Sequence, residues 1–153
     1  MKKIKFLILI ILLIIIDQVI KLKVINSAVL NKEIFRNILY ISYCENRGIA
    51  FGIGQGGVKI FAIITMLIII TALIYVFFKF NKLKGLTLFG IALVISGGIA
   101  NLIDRLFRGY VIDYIDFSEI VDFPIFNFAD ICIVVGVIII GISYLKNEGG
   151  EVN

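Results

Sequence analysis

Histidine is missing from all 153 residues. Its absence removes Ser-His-Asp and Cys-His catalysis, the H-E-x-x-H zinc site and haem ligation by histidine together, so any catalysis must use other groups. Cysteine is nearly as scarce. Cys44 lies in a polar loop and Cys132 inside an apolar run; the two have neither metal-ligand spacing nor a disulfide framework, and each reads as a small apolar filler. Charge is thin as well. Only 17% of residues are Asp, Glu, Lys or Arg, 61% are hydrophobic and the mean hydropathy is +1.09, whereas a soluble domain carries about a quarter charged residues. A soluble globular domain is thereby excluded. The 15 Lys and Arg outnumber the 11 Asp and Glu, but they sit at the edges of apolar runs and form no basic stripe, so no nucleic-acid partner is expected.

What is present is a set of long apolar runs. Spans at about 5–24, 58–80, 86–103 and 124–145 each approach the roughly 20 residues that a hydrocarbon core demands. The expected fold is an all-α membrane protein, a single four-span domain over 1–153, with outer segments at 26–57 and 104–123. Lys2, Lys3 and Lys5 followed by Phe6 to Ile16 resemble the start of a signal peptide. No A-x-A site follows, and the run continues past Asp17 through Val19 and Ile20, so an uncleaved first span is expected. Four spans place both termini on one side. Seven of the 15 Lys and Arg (Lys2, Lys3, Lys5, Lys79, Lys82, Lys84 and Lys146) crowd the short segments on that side, and the other eight are spread over the two long connections and the span ends that flank them. Density therefore favours cytoplasmic termini.

The outer segment holds Ile34 to Tyr43, rich in Ile, Tyr and Phe with partial alternation, which predicts a short strand or hairpin and a small extracytoplasmic β-rich cradle. Gly52, Gly54, Gly56 and Gly57 match G-x-G-x-x-G by letter. The strand-turn-helix unit and the acid that should follow are missing, so a flexible loop is expected. Asn147 to Asn153 read as a short frayed tail. The two halves do not mirror each other, which weighs against an inverted-repeat transporter.

Ionisable side chains in or beside a span are costly and point to function. Asp17, Asp104, Asp113 and Asp130 are the four such acids. Spans three and four are joined outside, which brings Asp104, Asp113 and Asp130 to one surface. Asp17, twelve residues beyond Lys5, climbs roughly 18 Å toward the same surface. Asp17 and Lys21 are spaced i, i+4 as a helical ion pair. Asn101, Asp104 and Arg105 are spaced i, i+3, i+4: either an Asp104–Arg105 pair closes span three, or the arginine orients a neighbouring carboxylate or a substrate carbonyl. Pro124 suits a first helical turn, placing Asn127 and Asp130 on one face just inside the membrane. Asp130 would then lie about two turns in, too deep for dipole compensation alone to explain. Asp113 or Asp116 could be its partner, and the residues alone do not choose. Either pair would share one proton in low dielectric and divide base and acid roles.

Five stretches in order resemble the bacterial lipoprotein signal peptidases, signal peptidase II, an intramembrane aspartyl protease family. They are Asp17-Gln18-x-x-Lys21, Asn46-Arg47-Gly48-Ile49-Ala50-Phe51, Gly97-Gly98-Ile99-Ala100-Asn101-Leu102-Ile103-Asp104-Arg105, Val111-Ile112-Asp113, and Phe126-Asn127-x-Ala129-Asp130. The family usually has Gly before the asparagine of the third motif, where this chain has Ala100, still a small residue. The resemblance implies a catalytic dyad of Asp113 and Asp130 with no metal or cofactor. It implies Asn46, Asn101, Arg105 and Asn127 as groups that position the peptide or stabilise the intermediate, and Asp17, Lys21, Gly48 and Asp104 as supports. The implied substrate is a diacylglyceryl-modified prolipoprotein arriving from membrane lipid and cut just before its lipidated cysteine. Globomycin-type cyclic lipopeptides are the implied inhibitors, and the implied location is the bacterial cytoplasmic (inner) membrane with the site at its outer face. Segments 34–43 and 106–122 would form a cradle and a lid. The chain carries no lipobox of its own. Two other readings compete: a proton- or cation-coupled transporter, whose acids should line a path across the membrane, and a structural assembly subunit, which needs no polar face of Asn127 and Asp130.

Overall fold

Unbroken runs of Ile, Leu, Val and Phe leave the backbone one local way to satisfy its polar groups in an apolar solvent, the α-helix. The computed structural model describes residues 3–27, 32–48 and 57–148 and folds these runs into four helices: α1 (Lys3–Asn26), α2 (Val58–Lys79), α3 (Gly85–Phe107) and α4 (Phe128–Glu148). The glycine-rich loop at 52–56, the end of the second motif (Ile49 to Phe51), Lys2 and the tail from residue 149 lie outside the described residues. Helices α2, α3 and α4 are long and apolar enough to cross a membrane. Helix α1 has comparable length, 24 residues, but carries Lys3, Lys5, Asp17, Lys21 and Lys23.

Helix α3 is the hub, with α1, α2 and α4 packed around it. It buries twelve residues from Leu88 to Asp104, whereas α2 buries only Ala62, Ile69 and Val76, seven apart along one narrow seam. The rest of α2 and most of α1 expose bare aliphatic and aromatic side chains, such as Ile4 at 70% and Phe77 at 75%. Helices that are apolar all round belong in lipid. Phe6, Ile10, Ile69, Val76, Phe80, Leu88 and Ile95 form the core between α1, α2 and α3.

Glycines let α4 lie almost backbone to backbone on α3. A Cβ at Gly97 would stand 2.3 Å from the Ala129 carbonyl oxygen, and one at Gly136 would stand 2.6 Å from the Gly90 carbonyl oxygen. Small residues permit such approach between membrane helices. Gly97 thus brings the first turn of α4, which holds Asp130, close against α3.

Three antiparallel strands in the order β1-β2-β3 cap one end: β1 (Lys32–Phe35), β2 (Leu39–Asn46) and β3 (Val111–Asp116). The expected hairpin is present, turning at Asn37 in the left-handed region (φ 53°). The stretch expected to be a lid contains β3, paired to β2 with Cys44 opposite Asp113 and Asn46 opposite Val111. Val24, Ile112 and Tyr114 seal the sheet against the helices.

The fourth helix begins later than expected. Residues 124–127 lie outside the helix, and Phe126 exchanges backbone hydrogen bonds with Ile115 of β3 at 2.8 and 3.1 Å. Pro124 therefore stands two residues before a bridge to β3 and starts no helical turn. At the other end α4 runs on through Glu148, into the stretch expected to fray.

Candidate active site

Lys21 is fully buried, and its ammonium has three hydrogens to place. Its Nζ donates to Asp17 Oδ2 at 2.8 Å, Asp104 Oδ2 at 2.7 Å and Asn101 Oδ1 at 2.9 Å, so all three are used. Asp104 is neutralised further by Arg108, four residues along α3. Two acids and two bases thus balance at the end of the bundle, which is the condition for holding such charges away from water. Gln18 closes the group. Its Nε2 donates to Asp104 Oδ1 at 3.3 Å and to the Ala100 carbonyl at 3.2 Å, while its Oε1 accepts from Arg108 Nη1 at 3.1 Å.

The expected Asp17–Lys21 pair is present and is enlarged. The Asp104–Arg105 pairing considered from the sequence is replaced by Asp104–Arg108, because adjacent helical residues do not face each other whereas i, i+4 neighbours do. Arg105 turns instead toward the segment that follows β2, reaching the carbonyl oxygens of Asn101 (3.4 Å) and Gly48 (3.5 Å).

This network places the start of α4. Asp17 Oδ1 accepts from the Ala129 backbone N–H at 3.0 Å, satisfying one of the donors that every helix N-terminus leaves free. Asn127 and Asp130 satisfy others reciprocally: Asp130 N–H donates to Asn127 Oδ1 at 3.0 Å, and Asn127 N–H donates to Asp130 Oδ2 at 3.1 Å. That is a capping box built from Asn and Asp. Asp130 consequently lies in the first turn of α4 and not two turns in, so part of its role is to cap.

Capping leaves one oxygen of Asp130 for other work. Asn101 Nδ2 donates to Asp130 Oδ1 at 2.8 Å. The orientation of that amide is set by Lys21: an ammonium only donates, so the Asn101 oxygen must face it and the NH2 must face Asp130. Asn127 Nδ2 reaches Asp113 Oδ1 at 2.6 Å, and Asn46 Nδ2 reaches Asp113 Oδ2 at 2.8 Å. Asn46 is itself held by the Gly48 N–H, which donates to its Oδ1 at 3.0 Å.

Asp113 and Asp130 are thus tied to the two nitrogens of one residue, Asn127, and both line a cavity of about 460 Å³. Asn46, Asn101 and Arg105 complete its polar wall, and Phe123 to Phe126 with Ile131, Val134 and Val135 make the rest apolar. Burial, then the charge of Asp130, pushes the Asp113 carboxyl up to about 7 in spite of its two amide donors.

Asp116 has the opposite strand parity and turns away, accepting from Ser42 at 2.6 Å and from the Ser118 N–H at 2.9 Å. Burial raises its carboxyl, but these bonds outweigh it and hold the group below the ordinary value. Among the described residues no group of three or more Cys, Asp or Glu side chains converges to hold a metal ion.

The structure brings Asp17, Lys21, Asn46, Gly48, Asn101, Asp104, Arg105, Asp113, Asn127 and Asp130 into one connected region. It also adds Gln18, Arg108 and Tyr114, whose hydroxyl accepts from the Phe128 N–H at 3.2 Å. Arg108 could have been found from its i, i+4 spacing to Asp104. Tyr114 had no local signal, because its partner lies across the β3–α4 connection.

A helical membrane protein with two carboxylates gathered at one end of its bundle, under a small sheet, is the class defined by fold and site. This chain belongs to the signal peptidase II family: the model of that family, described as signal peptidase (SPase) II, matches residues 9–146. The chain is 39% identical to the lipoprotein signal peptidase of Clostridioides difficile (strain 630) over 145 residues, covering 94% of this chain and 96% of that protein. It is also 39% identical to the lipoprotein signal peptidase of Streptococcus agalactiae serotype III (strain NEM316) over 150 residues, covering 97% and 96%. Among solved structures, a bacterial membrane enzyme determined by the in meso method at 2.3 Å resolution superposes with a TM-score of 0.86 at 34% identity, covering 95% of this chain and 90% of that one. Family membership and three membrane-capable helices make the chain a membrane protease.

Proposed function

We propose that this chain is an intramembrane aspartyl endopeptidase that removes the signal peptide from diacylglyceryl-modified prolipoproteins, cutting just before the lipidated cysteine. One observation carries the aspartyl assignment: Asp113 and Asp130 line one cavity and are bridged by the side-chain and backbone nitrogens of Asn127. Near neutral pH Asp113 holds the proton and Asp130 acts as general base, drawing a proton from a water that attacks the scissile carbonyl. Asp113 donates to the developing oxygen, and a proton then passes to the leaving amine. Asn46, Asn101 and Arg105 face the same space and supply donors for the substrate carbonyls and the tetrahedral oxygen. No metal or cofactor takes part. The substrate class rests on the family and on the cavity's apolar wall along α4, suited to a partner arriving sideways from lipid.

The proton on Asp113 gives the reading a pH signature. With that carboxyl near 7, the acid is lost as pH rises through 7. Cleavage of a diacylglyceryl-modified prolipopeptide by the purified protein in lipid should fall toward about tenfold per pH unit above that point. A rate that stays flat from pH 6 to 9 would remove Asp113 from the role of acid.

In this reading α1 is a fourth span, the termini and Lys79 to Lys84 are cytoplasmic, and the sheet and both acids face outward. A cysteine at Ser118, in a background lacking Cys44 and Cys132, should react with an impermeant thiol reagent in intact cells or spheroplasts. One at Asn81 should react only after the membrane is breached. A swapped pattern would put the acids on the cytoplasmic side and favour a transporter.

A further inference from the structure

The cavity along α4 does not end at Asp113. A second cavity, also of about 460 Å³, begins there and shares Asn46, Asp113 and the segment Phe123 to Ile125 with the first, but its remaining walls differ in character. The walls it does not share are Cys44 and Glu45 of β2, Arg47 and Gly48 just beyond it, and Asp122 on the facing segment that leads into α4. The first chamber can accept an apolar segment; the second brings three charged side chains to bear on whatever enters it.

Two of those charges cancel. Arg47 pairs with Glu45 at 2.9 Å and lies over the Tyr110 ring at 5.7 Å; the Tyr43 hydroxyl donates its one hydrogen to Glu45 Oε1 at 3.1 Å and lies 3.2 Å from the Tyr110 hydroxyl, from which it can accept. These contacts lie beside Asn46, at the end of β2. Asp122 is exposed, and among the described residues no cation lies within ion-pairing distance of it. The chamber therefore carries one unmatched negative charge.

A precursor cut at the junction of the chambers has an apolar signal helix on one side and a solvated polypeptide on the other. The apolar segment matches the chamber along α4, which leaves the polar chamber for the residues that follow the cut. We infer that the cavity between the end of β2 and Asp122 is the subsite for the mature side of the substrate, and that Asp122 makes it discriminate by charge, favouring a basic over an acidic residue just after the lipidated cysteine. This rests on the signal peptidase reading above.

The test uses three synthetic diacylglyceryl-modified prolipopeptides that differ only in the second residue after the cut: Lys, Gln or Asp. For the wild-type protein in neutral lipid at low salt, kcat/KM should be about fivefold higher for Lys than for Asp, the scale of an exposed ion pair. In 1 M salt, where the screening length falls from about 10 Å to about 3 Å, the ratio should approach one. Asp122→Asn should bring it close to one at low salt, and Asp122→Lys should invert it. A wild-type ratio near one, or a ratio that Asp122→Asn leaves unchanged, overturns the subsite while leaving the peptidase reading intact. The wild-type ratio and its salt dependence decide the question even if a variant does not fold. Failure to cleave any of the three overturns the peptidase reading, and the subsite with it.

Discussion

Asp113→Asn and Asp130→Asn should each abolish cleavage, by about a thousandfold or more, while leaving the protein inserted and folded. An amide keeps the shape of the carboxyl and one of the two oxygens that accept from neighbouring N–H groups, but it cannot carry the proton that general acid and base exchange, a contribution of about 10² to 10⁴ for each group. The structure supplies a control. Asp116 lies three residues from Asp113 on the same strand but bonds to Ser42 and the Ser118 N–H, so Asp116→Asn should keep most of the activity. For Asp130 folding must be checked separately, since its carboxylate also accepts from the Asn127 N–H, a bond that the Asn oxygen can still accept. Equal loss at Asp113 and Asp116, or strong cleavage by either dyad variant, would contradict the assignment. Rates on a modified prolipopeptide, read beside thermal unfolding of each purified variant, make the comparison.

The second large effect is expected at Lys21. Lys21→Met removes the cation shared by Asp17 and Asp104, all three being buried. Breaking a buried pair on one side costs about 3 to 5 kcal/mol, because the surviving charge stays behind without a partner. Arg108 still neutralises Asp104, so the deficit falls mainly on Asp17, which holds the Ala129 N–H. Asn101 also loses the donor that orients its amide, and Asp130 depends on that amide. The unfolding midpoint should drop by about 10 °C or more, and activity should fall with it. Lys23→Met, two residues along on the exposed side of α1, should change neither. Identical behaviour of the two variants would show that the network does not support the site.

The helices were legible because long apolar runs have few alternatives, and the hairpin because Ile34 to Tyr43 combine β-formers with alternation. The acids were legible because charge is so costly among such neighbours. Three features were not. The start of α4 was read from Pro124, but the backbone of Phe126 is committed to β3, a long-range pairing with no local signature. Strand β3 itself is mostly buried on both faces, so it shows none of the alternation that marks a half-buried strand. The choice of Asp113 over Asp116 is made by register against β2, which sets Asn46 opposite Val111, and a single chain's periodicity does not carry register. The motif resemblance named Asp113, and the structure sets the amides of Asn46 and Asn127 on its carboxylate.

Cutting of a lipid-modified precursor at one bond by this site is tested most directly by the mass of the product. Purified protein in lipid vesicles is given a diacylglyceryl-modified prolipoprotein and, separately, the same precursor without the lipid. The expected result is one cut in the modified precursor, giving a product whose first residue is the diacylglyceryl cysteine, and none in the unmodified one. Equal cleavage of both precursors, or a cut elsewhere in the signal segment, would contradict it.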